Sequence, residues 1–225
     1  MKEILFVSGF NTHPCEQPNN LDVYDCFHQY FKYSKYKITI FRYKREEPLE
    51  LVYKHICDLL TTNDYKVIIG HSLGGGLLLK YLSEHEEKRK VILLMPFISV
   101  PKWKQVAFSY LNLTPFALRL PKCVAIPNSS LFEGGNIIND SATMLDLSQI
   151  TYATNNILLP DDDIVNVFEK TADIIMVYAD DETVSPIECR LLDRIEKKVY
   201  VKGKHVSFAD IVTVNLFFYE FAKLL

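Results

Sequence analysis

Ser72 stands inside the run VIIGHSLGGG, residues 67–76, with glycines at 70, 74, 75 and 76. A serine hydroxyl is a weak nucleophile until its surroundings expose it, supply a base and stabilise the charge it creates. The spacing G-x-S-x-G meets the first need. VIIG reads as the end of a buried strand and LGGGLLLKYL as the start of a helix, so Ser72 falls on a sharp strand-to-helix turn. There the backbone is strained, at a cost of about 1–3 kcal/mol, and the hydroxyl is pushed out above the sheet. Side chains at 70 or 74 would collide as the helix folds back, and Gly75 and Gly76 let it pack closely. The turn also opens a helix, so the N–H of Leu73 and the positive end of the helix dipole face a developing oxyanion.

A base and an acid are expected further along, in the order serine, acid, histidine. The apolar run DIIMVYA ends at Asp180-Asp181-Glu182, and the next run, KVYVKG, leads to Lys204-His205 before the last helical stretch. His205 is the last of six histidines and the one that follows the acids at a strand end. Asp181 is the expected acid, three residues before Val184, with Asp180 as the alternative and Glu182 third. Its role is to hold the imidazole in the tautomer that accepts the serine proton and to stabilise the imidazolium. His28, His55 and His85 fall in helical stretches and read as surface residues, and His71 precedes the nucleophile and points elsewhere.

The second oxyanion donor should come from the loop after a neighbouring strand. The first strand, ILFVS, runs into GFNTHP: Gly9 permits close approach, the N–H of Phe10 is the expected donor, and Asn11 and Thr12 brace the loop with short polar side chains. Asn11 and His13 then lie where substrate would pass, although His13 has an equally good reading as a packing residue.

Something must hold these groups, and the chain supplies strands and helices in alternation. Buried strands are expected at Ile4–Ser8, Lys37–Tyr43, Lys66–Gly70, Lys90–Met95, Asp173–Ala179 and Lys197–Val201. Helices are expected at Asp22–Tyr33, Leu49–Thr61, Leu73–Glu87, Pro186–Arg194 and Ser207–Leu225. Most of these strands lack a polar alternation, as strands covered on both faces do, and the order implies a parallel sheet between two helical layers. Residues 97–172 break the rhythm with five prolines, a Gly134-Gly135 pair and an aromatic-rich stretch, WKQVAFSYLNLTPFALRLP. Segments this long tend to be lids. The expected division is a core of 1–96 and 173–225 with a cap at 97–172, where Trp103 and Phe108 line an apolar pocket or, alternatively, a homodimer interface.

Bulk properties narrow the partners. With 225 residues, 48% of them hydrophobic, a net charge of −3 favours neither nucleic acid nor an anionic membrane surface. Five isolated cysteines without a CxxC suggest neither a disulfide framework nor a metal site, and point to reduced thiols in a cytoplasmic protein. The N-terminal apolar run is too short for a signal peptide, and no stretch approaches the length of a membrane span.

GFNTHP, GHSLG, the 180–182 acids and His205 together resemble the α/β-hydrolase superfamily, in its small esterase- and lipase-like members, over nearly the whole chain. The resemblance implies a three-layer α/β sandwich with a mostly parallel six-stranded sheet in the order 2-1-3-4-5-6 and a helical cap inserted after the strand that follows the elbow. Relatives often carry His-Gly at the oxyanion turn, where this chain has Ser8-Gly9, and no HGGG motif occurs. The function implied is hydrolysis of a carboxylic ester or thioester by a Ser72-His205-Asp181 triad, on a small hydrophobic acyl substrate, with no cofactor or metal. An acyltransferase, a peptidase and a non-catalytic receptor for a small hydrophobic ligand are the rival readings.

Overall fold

The computed structural model describes residues 2–10, 23–44, 46–99, 123–127, 142–180, 190–209 and 213–225. Its centre is a six-stranded sheet made of β1 (Lys2–Val7), β2 (Tyr36–Phe41), β3 (Val67–His71), β4 (Lys90–Leu94), β7 (Ile174–Tyr178) and β8 (Lys198–Tyr200). The order is β2-β1-β3-β4-β7-β8 and every pairing is parallel. Counted along the sheet strands alone, this is the order 2-1-3-4-5-6.

The missing alternation in the strand sequences has a direct explanation. Successive side chains of a strand point to opposite faces, and the inner strands are covered on both, whereas edge strand β2 leaves Lys37 and Thr39 exposed. Leu5, Val7, Ile68, Val91, Leu93, Ile174 and Met176 point into one apolar cluster. Ile4, Phe6, Val67, Ile69, Ile92, Leu94 and Val177 point into another. The first cluster is closed by α2 (Leu49–Thr62), α3 (Leu73–Glu84), α5 (Asp161–Lys170) and α6 (Arg190–Arg194). The second is closed by α1 (Asp25–Phe31) and α7 (Val214–Ala222). Helical spacing does the closing: α2 buries Leu49, Val52, Ile56 and Leu60, one stripe three or four residues apart. Each such side chain contributes about 1.5–3 kcal/mol of burial.

Three expectations shift. The helix after the elbow ends at Glu84, where His85 turns extended and stacks its ring on Tyr81 at 4.4 Å, in an acid-rich stretch with no apolar face to bury. The last helix begins at Val214; residues 205–209 instead make two tight turns, closed by Ser207 N to Lys204 O and Ala209 N to Val206 O. Within 97–172 lies an antiparallel pair, β5 (Cys123–Pro127) with β6 (Ala142–Asp146), followed by α4 (Leu147–Tyr152) and a wide helical turn at Ala153–Ile157. Ile157, Ile164, Val167 and Phe168, from the later part of this segment, share the core cluster of Leu77 and Leu78. Among the described residues, no helix is long and apolar enough to cross a membrane.

Candidate active site

Strand register brings the first two pieces together. Val7 pairs with Gly70, so two residues further on Gly9 arrives beside Ser72. A Cβ placed on Gly9 would sit 2.8 Å from the Ser72 Cβ, a contact no other residue type could make without displacing the turn. On the other flank, the Ser72 N–H donates to the Leu94 carbonyl at 3.0 Å, and the Ser72 carbonyl accepts from Phe97 at 2.8 Å and Gly76 at 3.1 Å. The elbow is thus held from β1 and from β4, its two neighbours in the sheet.

Ser72 adopts φ 53°, ψ −123°, a positive φ shared among described non-glycine residues only with Met95. The left-handed sign is the strain that a nucleophile turn requires. Gly74 makes the sharp return available: a Cβ there would lie 2.3 Å from the Val7 carbonyl oxygen and 2.5 Å from that of Ser8. Ser72 precedes α3 but makes no capping bond with its side chain, although serine is among the preferred capping residues. Its hydroxyl is not spent on the helix. Leu73, the first residue of α3, is fully buried, and its N–H belongs to the unsatisfied first turn.

The third piece is the loop after β8. Val201 N–H donates to Tyr178 O and Asp180 N–H to Gly203 O at 2.8 Å, which zips the loop after β7 to the one after β8. His205, 5% exposed, follows, with its ring centroid 4.8 Å from that of His71. The loop has therefore crossed from the sheet's far edge back to the elbow. Ser72, Leu73, Gly9-Phe10 and His205 gather at the C-terminal ends of the parallel strands, where open α/β sheets bind their ligands. Asn11, His13, Trp103, Phe108 and Asp181 lie outside the described residues. Asp180 is exposed, and its Oδ2 accepts a hydrogen bond from the Tyr200 hydroxyl at 2.8 Å.

Sequence reading passed over two residues of this neighbourhood. His71 is 2% exposed; its Nε2 lies 3.1 Å from the His205 carbonyl oxygen and its Nδ1 2.8 Å from the Tyr24 hydroxyl. A carbonyl only accepts, so Nε2 carries the proton; in the neutral ring Nδ1 then accepts from Tyr24. The Tyr24 oxygen in turn accepts the Gly9 N–H at 2.9 Å. The available signal was a histidine closing an otherwise apolar strand, since a buried imidazole needs partners on both nitrogens.

No family model and no curated protein matches the sequence. Solved structures do resemble the fold. A monoacylglycerol lipase of Paleococcus ferrophilus superposes with a TM-score of 0.62 at 13% identity, over 98% of this chain and 92% of that one. A metagenome-derived lipolytic enzyme gives 0.69 at 13% identity, over 99% and 92%. A carboxylesterase of the ammonia-oxidizing thaumarchaeon Nitrososphaera gargenis gives 0.63 at 12% identity, over 99% and 90%. The chain has the α/β-hydrolase fold.

Proposed function

We propose that this chain is a serine hydrolase acting on a carboxylic ester or thioester with a hydrophobic acyl group. The observation that carries the reading is Ser72 itself: a positive-φ serine between β3 and α3, with the Gly9 turn against one side and the His205 loop brought back against the preceding residue, His71. Fold likeness to lipases and a carboxylesterase supports the ester as substrate class.

In the proposed reaction His205 takes the Ser72 proton as Oγ attacks the substrate carbonyl carbon. The N–H groups of Leu73 and Phe10 hold the oxyanion of the tetrahedral intermediate. Its collapse breaks the bond to the alcohol or thiol, which leaves with the proton from His205. Water then repeats the sequence on the acyl-enzyme and frees the acid. Asp181 orients the imidazole; the exposed setting of Asp180 and its bond from Tyr200 support Asp181 over its neighbour. Asn11, His13, Trp103 and Phe108 contact substrate in this reading, with 97–172 as the cap over it.

The test is labelling with a fluorophosphonate, which modifies only an activated serine, alongside p-nitrophenyl esters of increasing chain length. Wild-type protein is expected to label and to prefer longer acyl chains, and both Ser72→Ala and His205→Ala to abolish labelling. Loss of kcat in either variant should reach about 10⁴-fold or more. A folded wild-type chain that neither labels nor cleaves any of these esters defeats the proposal. Product analysis in the presence of an alcohol separates hydrolysis from acyl transfer.

A further inference from the structure

Two buried polar side chains at the elbow take no part in the reaction proposed above. Tyr24 is 0% exposed and His71 2%. Burying such groups is costly without partners, and three hydrogen bonds supply them by joining four separate segments of the chain. The Gly9 N–H donates to the Tyr24 oxygen at 2.9 Å, the Tyr24 hydroxyl to His71 Nδ1 at 2.8 Å, and His71 Nε2–H to the His205 carbonyl at 3.1 Å. Aromatic contacts fix the two rings. Tyr24 stacks on Phe208 at 5.6 Å and tilts against Phe6 at 4.9 Å, and Phe208 meets His71 edge-on at 4.8 Å.

We infer that Tyr24 and His71 are positioning residues, forming one hydrogen-bonded chain that sets the oxyanion turn at Gly9 and the His205 loop in a common frame around Ser72. The inference rests on the hydrolase reading. The sheet cannot provide this frame unaided. β8 lies three strands from β3, about 14 Å at the usual strand spacing. The segment carrying His205 leaves the ladder at the far edge and recrosses that distance. Its anchor at the elbow is the bond from His71 to the His205 backbone, which leaves the His205 imidazole out of the linkage. The other end of the chain grips the Gly9 amide, one residue before the expected donor Phe10. Misplacing a reacting group by about 1 Å can cost about 100-fold in rate, so a linkage between donor and base belongs to the transition state more than to substrate binding.

Tyr24→Phe keeps the ring packing and deletes the central hydroxyl. It should lower kcat about 10- to 100-fold with KM within about threefold, and slow fluorophosphonate labelling in proportion. His71→Leu should do the same, and the double variant should be no worse than the poorer single one, because either cut breaks the same chain. His71→Gln keeps a donor able to reach the His205 carbonyl and should recover about tenfold over His71→Leu. Long-range ¹H–¹⁵N spectra should show His71 protonated at Nε2 alone. An active wild type whose Tyr24→Phe variant keeps kcat within about twofold overturns the positioning role while leaving the hydrolase standing. So would additive losses, or a His71 protonated at Nδ1 alone. An inert wild type removes the hydrolase reading and this inference with it.

Discussion

Ser72 pays with backbone strain for a position no relaxed residue would take, and that strain can be measured. At φ 53° the side chain adds to the cost, about 1–3 kcal/mol for a residue held in such a region. Ser72→Gly should therefore be more stable than Ser72→Ala by about 1 kcal/mol, or roughly 2–4 °C in Tm for a chain of this size. Paired thermal melts test this; equal values would mean the turn carries no strain. Gly74 marks the opposite limit. A methyl group there meets two carbonyl oxygens at 2.3 and 2.5 Å, backbone atoms of β1 and of the turn that follows it, which cannot rotate away. Gly74→Ala is expected to cost about 3 kcal/mol or more, visible as a lower urea midpoint.

At the scale of elements, Arg89, one residue before β4, is held by an ion pair with Glu87 and ties that loop to the end of α2. The Glu87 side chain is 4% exposed and Arg89 20%. Arg89 donates through Nε at 2.8 Å and Nη2 at 2.6 Å to Glu87, and through Nη1 to the Leu60 carbonyl at the end of α2, at 3.0 Å. Burial by itself would raise the Glu87 carboxyl, but the hydrogen bonds from Arg89 and from the backbone N–H groups of Arg89 and Lys88 outweigh it and hold it below the usual carboxylate range. A carboxyl lowered in the folded state contributes its stability above the unfolded pKa, near 4.3, and loses it as pH falls through the folded value. Arg89→Ala should cost about 3 kcal/mol at neutral pH and flatten this part of the acid-unfolding curve. Urea titrations at pH 7 and at pH 3 check both effects; equal destabilisation at the two pH values would refute the ionic account.

Over the whole molecule, Phe27 of α1 connects elements far apart in sequence. Its ring lies 4.7 Å from Phe6 of β1, 5.1 Å from Phe208 beside the elbow, and 5.6 Å from Phe221 of α7. It is fully buried. Phe27→Ala is expected to cost about 3–5 kcal/mol. Since Phe208 also backs His71 and Tyr24, the catalytic rate of the remaining folded protein should drop as well. Denaturant unfolding and ester kinetics on the same sample separate the two effects, and a destabilised variant with unchanged kcat would show that the aromatic layer serves stability alone.

Sheet strands and the elbow were legible in the sequence because each is a local pattern. A covered strand is an apolar run, a nucleophile turn needs small residues at fixed spacing, and the parallel order follows from strands and helices in alternation. Even the place of Gly9 could be argued from the strand it follows. The β5–β6 pair and the late start of α7 were not legible, since short irregular segments bounded by prolines and turns carry little periodicity. Nor was the bond chain from Gly9 through Tyr24 and His71 to His205, whose members are separated by 15, 47 and 134 positions. In sequence, Tyr24 looks like one more core aromatic and His71 like the neighbour of a nucleophile. Only the folding of the sheet, which sets β1 against β3 and returns the loop after β8 to the elbow, decides that the polar atoms of these two side chains meet, because contact between distant residues is a property of register and crossover rather than of spacing.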